Sequence, residues 1–153
     1  MDATALELVQ ELLERIRDVL GADEAGILLI EPDGHSLLLR IWLTLGELES
    51  HPIRVQIGEG FSGQIAASKV PLILDDASDF RFSHPEMLKR GIRSLMGVPL
   101  MIDQRVLGVV HVGKTSLHHF DANELHLLEL AAARLALAVD RANLFQAERN
   151  ARG

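Results

Sequence analysis

Residues 93–114 read RSLMGVPLMIDQRVLGVVHVGK, two apolar runs joined by the short segment Ile102–Arg105. Apolar runs of this length on either side of a short turn predict an antiparallel β-hairpin. We place its strands at Arg93–Met101 and Val106–Lys114. The rest of the fold is predicted outward from this hairpin.

The register of the hairpin predicts which side chains share a face. A regular register with Met101 opposite Val106 places Met96 opposite His111. Because side chains alternate across a sheet, one face then carries Ser94, Met96, Val98, Val109 and His111. The other face carries Gly97, Gly108, Val110 and Val112. Two glycines on one face allow a close backbone approach, so we expect a helix to pack there.

Shorter elements precede the hairpin. Ala25–Ile30 and Ser36–Leu43 are apolar runs separated by the turn residues Glu31-Pro32-Asp33-Gly34, which predicts a second hairpin. The remaining predicted elements are a strand within His51–Ile57, a helix over Phe61–Ser68, a strand at Leu72–Leu74 and a short helix between Ser83 and Gly91.

Two long helices are predicted at the ends of the chain. Apolar residues recur at spacings of three and four from Leu6 to Leu20, with Thr4 as the predicted N-cap and Gly21 as the C-cap. The second helix runs from Ala122 to about Asn150. Its predicted start is a capping box, in which Asp121 is the N-cap and Glu124 is the third helical residue. Leucines on several sides of this helix indicate burial against both the sheet and a partner chain.

Composition excludes several classes of function. The chain has 153 residues, which suits one domain, and a net charge of -7 without clustered Lys or Arg. Nucleic acid and anionic membrane surfaces are therefore not expected partners. The chain has no cysteine, which removes disulfides, thiolate nucleophiles and Cys metal sites. No apolar run is long enough to span a bilayer and the start is not a signal peptide, so we expect a cytoplasmic protein.

Five segments in order carry a resemblance to a known family. They are Gly58–Ala66, Pro71–Asp76, Gly91–Leu100, Arg105–Val112 and Phe120–Glu124. With the order of the predicted elements, the chain resembles a GAF domain over essentially its whole length. The resemblance is best to GAF domains of bacterial sensor histidine kinases and related signalling proteins.

The resemblance implies an α+β fold with an antiparallel sheet of about five to six strands. It implies terminal helices on one face, and short helices and loops over the other face, where the family's ligand pocket lies. The domain is expected over residues 1–148, with residues 149–153 as the start of a linker or a tail. Since the glycine face suits helix packing, the pocket is expected on the face of Met96 and His111. The candidate ligand-binding residues are Ser94, Met96 and His111 from the hairpin, together with Trp42, Phe61, Phe82 and Met87.

Departures from the family patterns limit the ligand. Family members that attach bilin covalently and those that reduce methionine sulfoxide use a cysteine, which this chain lacks. Haem-binding members carry a histidine where an ungapped reading places Lys89, so haem is not expected. The Asn-Lys…Phe…Asp-Glu signature of cyclic-nucleotide members is matched only in part, by Gly113-Lys114 and Phe120-Asp121, so a cyclic nucleotide stays open without support.

Two functions remain. The first is a sensory module that binds a small-molecule effector and relays the signal through its C-terminal helix to an effector domain in a longer chain. The alternative is a dimerisation module without a small-molecule ligand. In both cases we expect a homodimer formed through the terminal helices. No metal site and no catalytic residue are predicted, because no reactive constellation is visible.

Overall fold

The computed structural model describes residues 3–44, 53–82 and 86–152. Its helices are α1 (Ala3–Val19), α2 (Gly60–Ser68), α3 (Glu86–Lys89) and α4 (Ala122–Arg152). Its strands are β1 (Glu24–Ile30), β2 (Ser36–Leu43), β3 (Arg54–Gln56), β4 (Leu72–Leu74), β5 (Ser94–Ile102) and β6 (Arg105–Lys114). The strands form one antiparallel sheet in the order β3-β2-β1-β6-β5-β4, which confirms the predicted fold class.

Helices α1 and α4 cover one face of the sheet, here called the helical face. Val9 and Leu13 of α1 and Leu128 and Leu135 of α4 are completely buried. They pack in one cluster with side chains from the sheet, including Met96, Val98, Val110 and Val112. Burying side chains of this size stabilises the fold by about 1.5–3 kcal/mol each, so this layer is the main core of the domain.

The opposite face, here called the pocket face, is covered by α2 and the segments that follow it. Phe61 and Ile65 of α2 are buried against Leu28, Leu95 and Val109 of the central strands. Gly97 makes this close approach possible. A Cβ atom at Gly97 would lie 2.7 Å from both Ile65 Cδ1 and Phe61 Cε1.

The register of the β5–β6 hairpin differs from the regular one expected. Met101 does lie opposite Val106, but Leu100 lies opposite Gly108, so Leu107 is an extra residue in β6. Such a β-bulge shifts all pairing beyond it by one residue. His111 therefore lies opposite Gly97 instead of Met96.

This bulge corrects four sequence predictions. Ser94, Met96 and Val98 lie on the helical face, not beside His111, because the extra residue in β6 shifts the pairing by one and places these β5 side chains on the opposite face from His111. Met96 is fully buried in the cluster under α1 and α4. Gly97 lies on the pocket face and accommodates α2, not a terminal helix.

The ends of the helices follow local chemistry. At α4 the predicted capping box is confirmed: the Glu124 amide donates to Asp121 Oδ1 at 2.9 Å, and the Asp121 amide donates to Glu124 Oε1 at 3.0 Å. After α1, Gly21 adopts a positive φ of 61°, as expected for a helix terminator. The prediction for Thr4 is wrong, since Thr4 lies inside α1. Ser83 and residues 51–52 lie outside the described residues.

Candidate ligand-binding site

A cavity of about 70 Å³ lies between the pocket face and its cover. Its walls are mostly apolar, and the strands contribute Leu28, Leu39, Val55 and Leu95, next to Ile53 and Ser62. Five of the seven predicted candidates line it: Trp42, Phe61, Phe82, Met87 and His111. An apolar cleft with a few polar groups is the usual form of a small-molecule site.

The other two predicted candidates are not in the cavity lining. Met96 packs under the terminal helices. Ser94 is also fully buried, and its Oγ donates a hydrogen bond to the carbonyl of Ser116 at 2.9 Å. Both positions are occupied by structural contacts on the helical side.

A buried polar cluster adjoins the cavity, and two of its members, His111 and Trp42, line the cavity wall. His111 and Glu24 are only 2% and 1% exposed, and His111 Nδ1 lies 3.1 Å from Glu24 Oε1. The second carboxylate oxygen of Glu24 accepts a hydrogen bond from Trp42 Nε1 at 3.0 Å. Each carboxylate oxygen therefore has a partner, as a buried acidic group requires.

Two glycines make room for this cluster against the sheet. Gly26 of β1 lies opposite His111, and a Cβ atom there would lie 2.5 Å from His111 Nε2. Gly113 of β6 lies opposite Glu24, and a Cβ atom there would lie 2.6 Å from Glu24 Oε1. The imidazole and the carboxylate thus lie directly on the strand backbone, at positions where any larger residue would displace them.

Glu24 was not among the sequence candidates. A signal was present, because an acidic residue stands at the start of an otherwise apolar strand, two positions before Gly26. Its partner His111 is 87 positions away. Only the pairing of β1 with β6 brings the two together.

Aromatic side chains close the cavity from above. Phe80 and Phe82 pack edge to face with ring centroids 4.9 Å apart, and Phe61 lies 6.1 Å from Phe80. The guanidinium carbon of Arg90 lies 5.3 Å from the centre of the Trp42 ring, which is a cation–π contact. The cover is therefore held by contacts between side chains of α2 and of the segments following β4, and by the contact of Arg90 with Trp42 of β2.

The adjacent carboxylates Asp75 and Asp76 have separate partners. Asp75 Oδ2 lies 2.9 Å from His119 Nδ1, and this hydrogen bond raises the pKa of His119. Asp76 accepts hydrogen bonds from the hydroxyl and the amide of Ser78, which lower the pKa of Asp76. The two carboxylates do not form a proton-sharing pair.

Within the described ranges, no three metal-binding side chains are grouped as an ion would need.

Sequence comparison identifies the family. The model of the GAF domain family matches residues 2–140 of the chain. No curated protein matches the chain in sequence. Across the described ranges, no helix combines the length and the apolar character that crossing a bilayer requires.

Solved structures share the fold at low sequence identity. Residues 122 to 287 of a methyl-accepting chemotaxis protein align with a TM-score of 0.78 at 20% identity, over 94% of this chain and 93% of that one. A domain of a putative two-component sensor histidine kinase from Sinorhizobium meliloti 1021 aligns with a TM-score of 0.68 at 20% identity, over 94% and 96%. A type II free methionine-R-sulfoxide reductase from Thermoplasma acidophilum aligns with a TM-score of 0.74 at 17% identity, over 90% and 94%. These similarities show a fold that both signalling proteins and an enzyme use.

Proposed function

The chain belongs to the GAF domain family, and we propose that it is a sensory module of a bacterial signal-transduction protein in the cytoplasm. In this proposal a small molecule binds in the cavity under α2, and the signal leaves through α4 to an effector domain in a longer chain. The cavity carries the proposal, since it combines apolar walls with a buried polar cluster. Similar folds in a chemotaxis protein and a sensor histidine kinase support a signalling role.

Strand β6 gives a physical route from the cavity to α4. His111 of β6 lines the cavity, while its neighbours Val110 and Val112 are buried on the helical face in the cluster that contains Leu128 and Leu135 of α4. A ligand that moves β6 therefore changes the surface on which α4 packs. The ligand can shift the equilibrium between two packing arrangements of α4 only as far as its affinities for the two arrangements differ.

Regulation is favoured over catalysis. The sulfoxide reductases that the chain resembles use a cysteine, and this chain has none. Among the described residues, His111, His118 and His119 are hydrogen-bonded to carboxylates, and none of them is hydrogen-bonded to a serine or threonine hydroxyl that could act as a nucleophile.

Native mass spectrometry after gentle purification tests the sensory proposal, together with a small-molecule binding screen followed by NMR. We expect a bound small molecule, retained or found in the screen, that Val55→Phe abolishes, because Val55 lines the cavity and the larger ring would fill it. Val70→Phe is the control, since Val70 is exposed outside the cavity lining. A ligand bound equally by both variants, or none found at all, would contradict the cavity as a sensory site.

A specific surface favours a second role, dimerisation without a ligand. A groove between α1 and α4 is lined by residues including Leu12, Val19, Leu127 and Leu130. Val19 is 62% exposed and Leu130 is 54% exposed. Exposed apolar side chains grouped in this way are typical of interaction surfaces, so we propose a homodimer through the terminal helices. Dimerisation alone would be the function if the ligand search fails while the dimer is found.

A further inference from the structure

We propose that His111 selects the ligand by presenting an unprotonated Nε2 to the cavity, so that the site takes a small neutral molecule carrying one N–H or O–H donor. This inference rests on the proposed sensory function and specifies the class of ligand. It follows from the partners of His111, the charge of Glu24 and the size of the cavity.

The two ring nitrogens of His111 have different surroundings. Nδ1 is paired with Glu24 Oε1, and Nε2 has no hydrogen-bond partner among the described residues. Among the same residues, every fully buried side-chain nitrogen or oxygen has a partner, so the unpartnered Nε2 atom is not fully buried. Because His111 is 98% buried and lines the cavity, we infer that the small exposed surface of Nε2 faces the cavity.

The hydrogen bonds of Glu24 determine which nitrogen of His111 carries the ring proton. Trp42 Nε1 is only a donor, and an ionised carboxylate is only an acceptor. Glu24 accepts a hydrogen bond from Trp42 with one oxygen. Its other oxygen, in an ionised carboxylate, can only accept, so His111 Nδ1 is the donor of the second hydrogen bond. We take the imidazole as neutral; its single proton is then on Nδ1, and Nε2 carries a lone pair. A ligand must supply a donor to satisfy it.

The charge of Glu24 limits the charge of the ligand. An anionic ligand at Nε2 would lie close to the buried Glu24 carboxylate, and like charges repel strongly in surroundings of low dielectric constant. A cation would be attracted by Glu24, but both oxygens of that carboxylate already have hydrogen-bond partners. The cation would exchange its hydration for apolar walls such as Leu28 and Leu39. A neutral molecule with one donor avoids both costs.

The size of the cavity limits the size of the ligand. A cavity of about 150 Å³ holds benzene, so a cavity of about 70 Å³ admits a whole ring only if its cover moves outward. A single ring with one substituent is therefore the upper limit for the ligand. Aromatic side chains from Trp42, Phe61 and Phe82 line the cavity and suit a flat ring.

The tautomer can be tested without a ligand or a variant. Nitrogen-15 NMR of the full chain, labelled at histidine, distinguishes protonated from unprotonated ring nitrogens. We expect His111 to show a protonated Nδ1 and an unprotonated Nε2 near neutral pH. A proton on Nε2, with or without one on Nδ1, would overturn the assignment.

Ligand choice is tested with three probes of similar shape: phenol, toluene and benzoate. NMR titration should show phenol binding about three- to tenfold more tightly than toluene, the fold-change expected for one net hydrogen bond. Benzoate should bind more weakly than either. The signals of Leu28 and Leu95 report occupancy of the cavity, and those of the exposed Leu117 serve as the control.

A double variant tests the role of His111 directly. Glu24→Gln combined with His111→Phe removes the lone pair without leaving a buried unpaired charge, and the new carboxamide can still accept from Trp42. The preference for phenol over toluene should disappear while toluene still binds. Loss of folding, seen by circular dichroism, would leave the wild-type comparison as the deciding one.

The outcomes separate this inference from the proposed function. Equal affinity for phenol and toluene, or tightest binding of benzoate, would overturn the role of His111 and leave the cavity as a ligand site. If none of the three probes perturbs the cavity signals, the assigned ligand class is wrong. If the native mass spectra and the binding screen also show no small molecule, the sensory function fails with it.

Discussion

At the scale of single residues, ion pairs and close contacts can be tested one by one. The pKa of His119 is raised mainly by its hydrogen bond to Asp75. Because the pKa of His119 is higher in the folded protein than in the unfolded chain, this pair stabilises the fold fully at a pH below the pKa of the unfolded chain. That stabilisation is lost as the pH rises through the pKa of the folded protein. We expect an NMR titration to give His119 a pKa above its ordinary range, and Asp75→Asn to lower it. Asp103→Asn, which removes an exposed carboxylate in the β5–β6 turn, is the control and should leave the pKa of His119 unchanged.

Gly26 provides a second test at this scale. Because a Cβ atom would lie 2.5 Å from His111 Nε2 and the ring is buried, Gly26→Ala should lower the free energy of unfolding by about 1–3 kcal/mol, the usual cost of overpacking. Urea denaturation measures this value. In a His111→Ala background the same change should cost much less, since the clash is gone. An equal cost in both backgrounds would show that the ring is not what Gly26 accommodates.

At the scale of secondary-structure elements, the start of α4 is the clearest case. The capping box between Asp121 and Glu124 satisfies two backbone amides, and Glu124 also lies 2.9 Å from His118 Nε2. Asp121→Ala should destabilise the protein by about 1 kcal/mol, measured by urea denaturation. Asn123→Ala is the matched control, because Asn123 is exposed in the same turn. Similar values for the two variants would mean that the cap contributes little to stability.

At the scale of the whole molecule, the groove between α1 and α4 predicts self-association. Leu130→Lys places a charge in this groove and should shift the protein from dimer to monomer in light scattering at micromolar concentration. Leu117→Lys is the control, because Leu117 and Leu130 are similarly exposed, at 56% and 54%. Of these two residues, only Leu130 lines the groove. A wild-type protein that is monomeric at high micromolar concentration would refute the dimer.

Much of the fold was predictable because its signals are local. The turn residues Glu31–Gly34, the apolar alternation of the strands and the capping box at Asp121 each act within a few positions of the chain. The α+β class and the order of helices and strands followed from such signals and from the family resemblance. Five cavity residues, among them Trp42 and His111, were also predicted from the sequence, with the family resemblance indicating where the pocket lies.

The tertiary structure alone decided which residues share a face in the β5–β6 hairpin. Leu107 is a leucine among apolar neighbours, and nothing in its type marks it as the bulge that exchanges the faces of Met96 and Gly97. The partner of His111 was equally hidden, because Glu24 comes from a strand 87 positions earlier. Local propensities act over a turn or two, whereas register and buried polar pairs depend on contacts between strands distant in sequence. The register and the buried pairs are determined by the packing of both faces of the sheet at the same time.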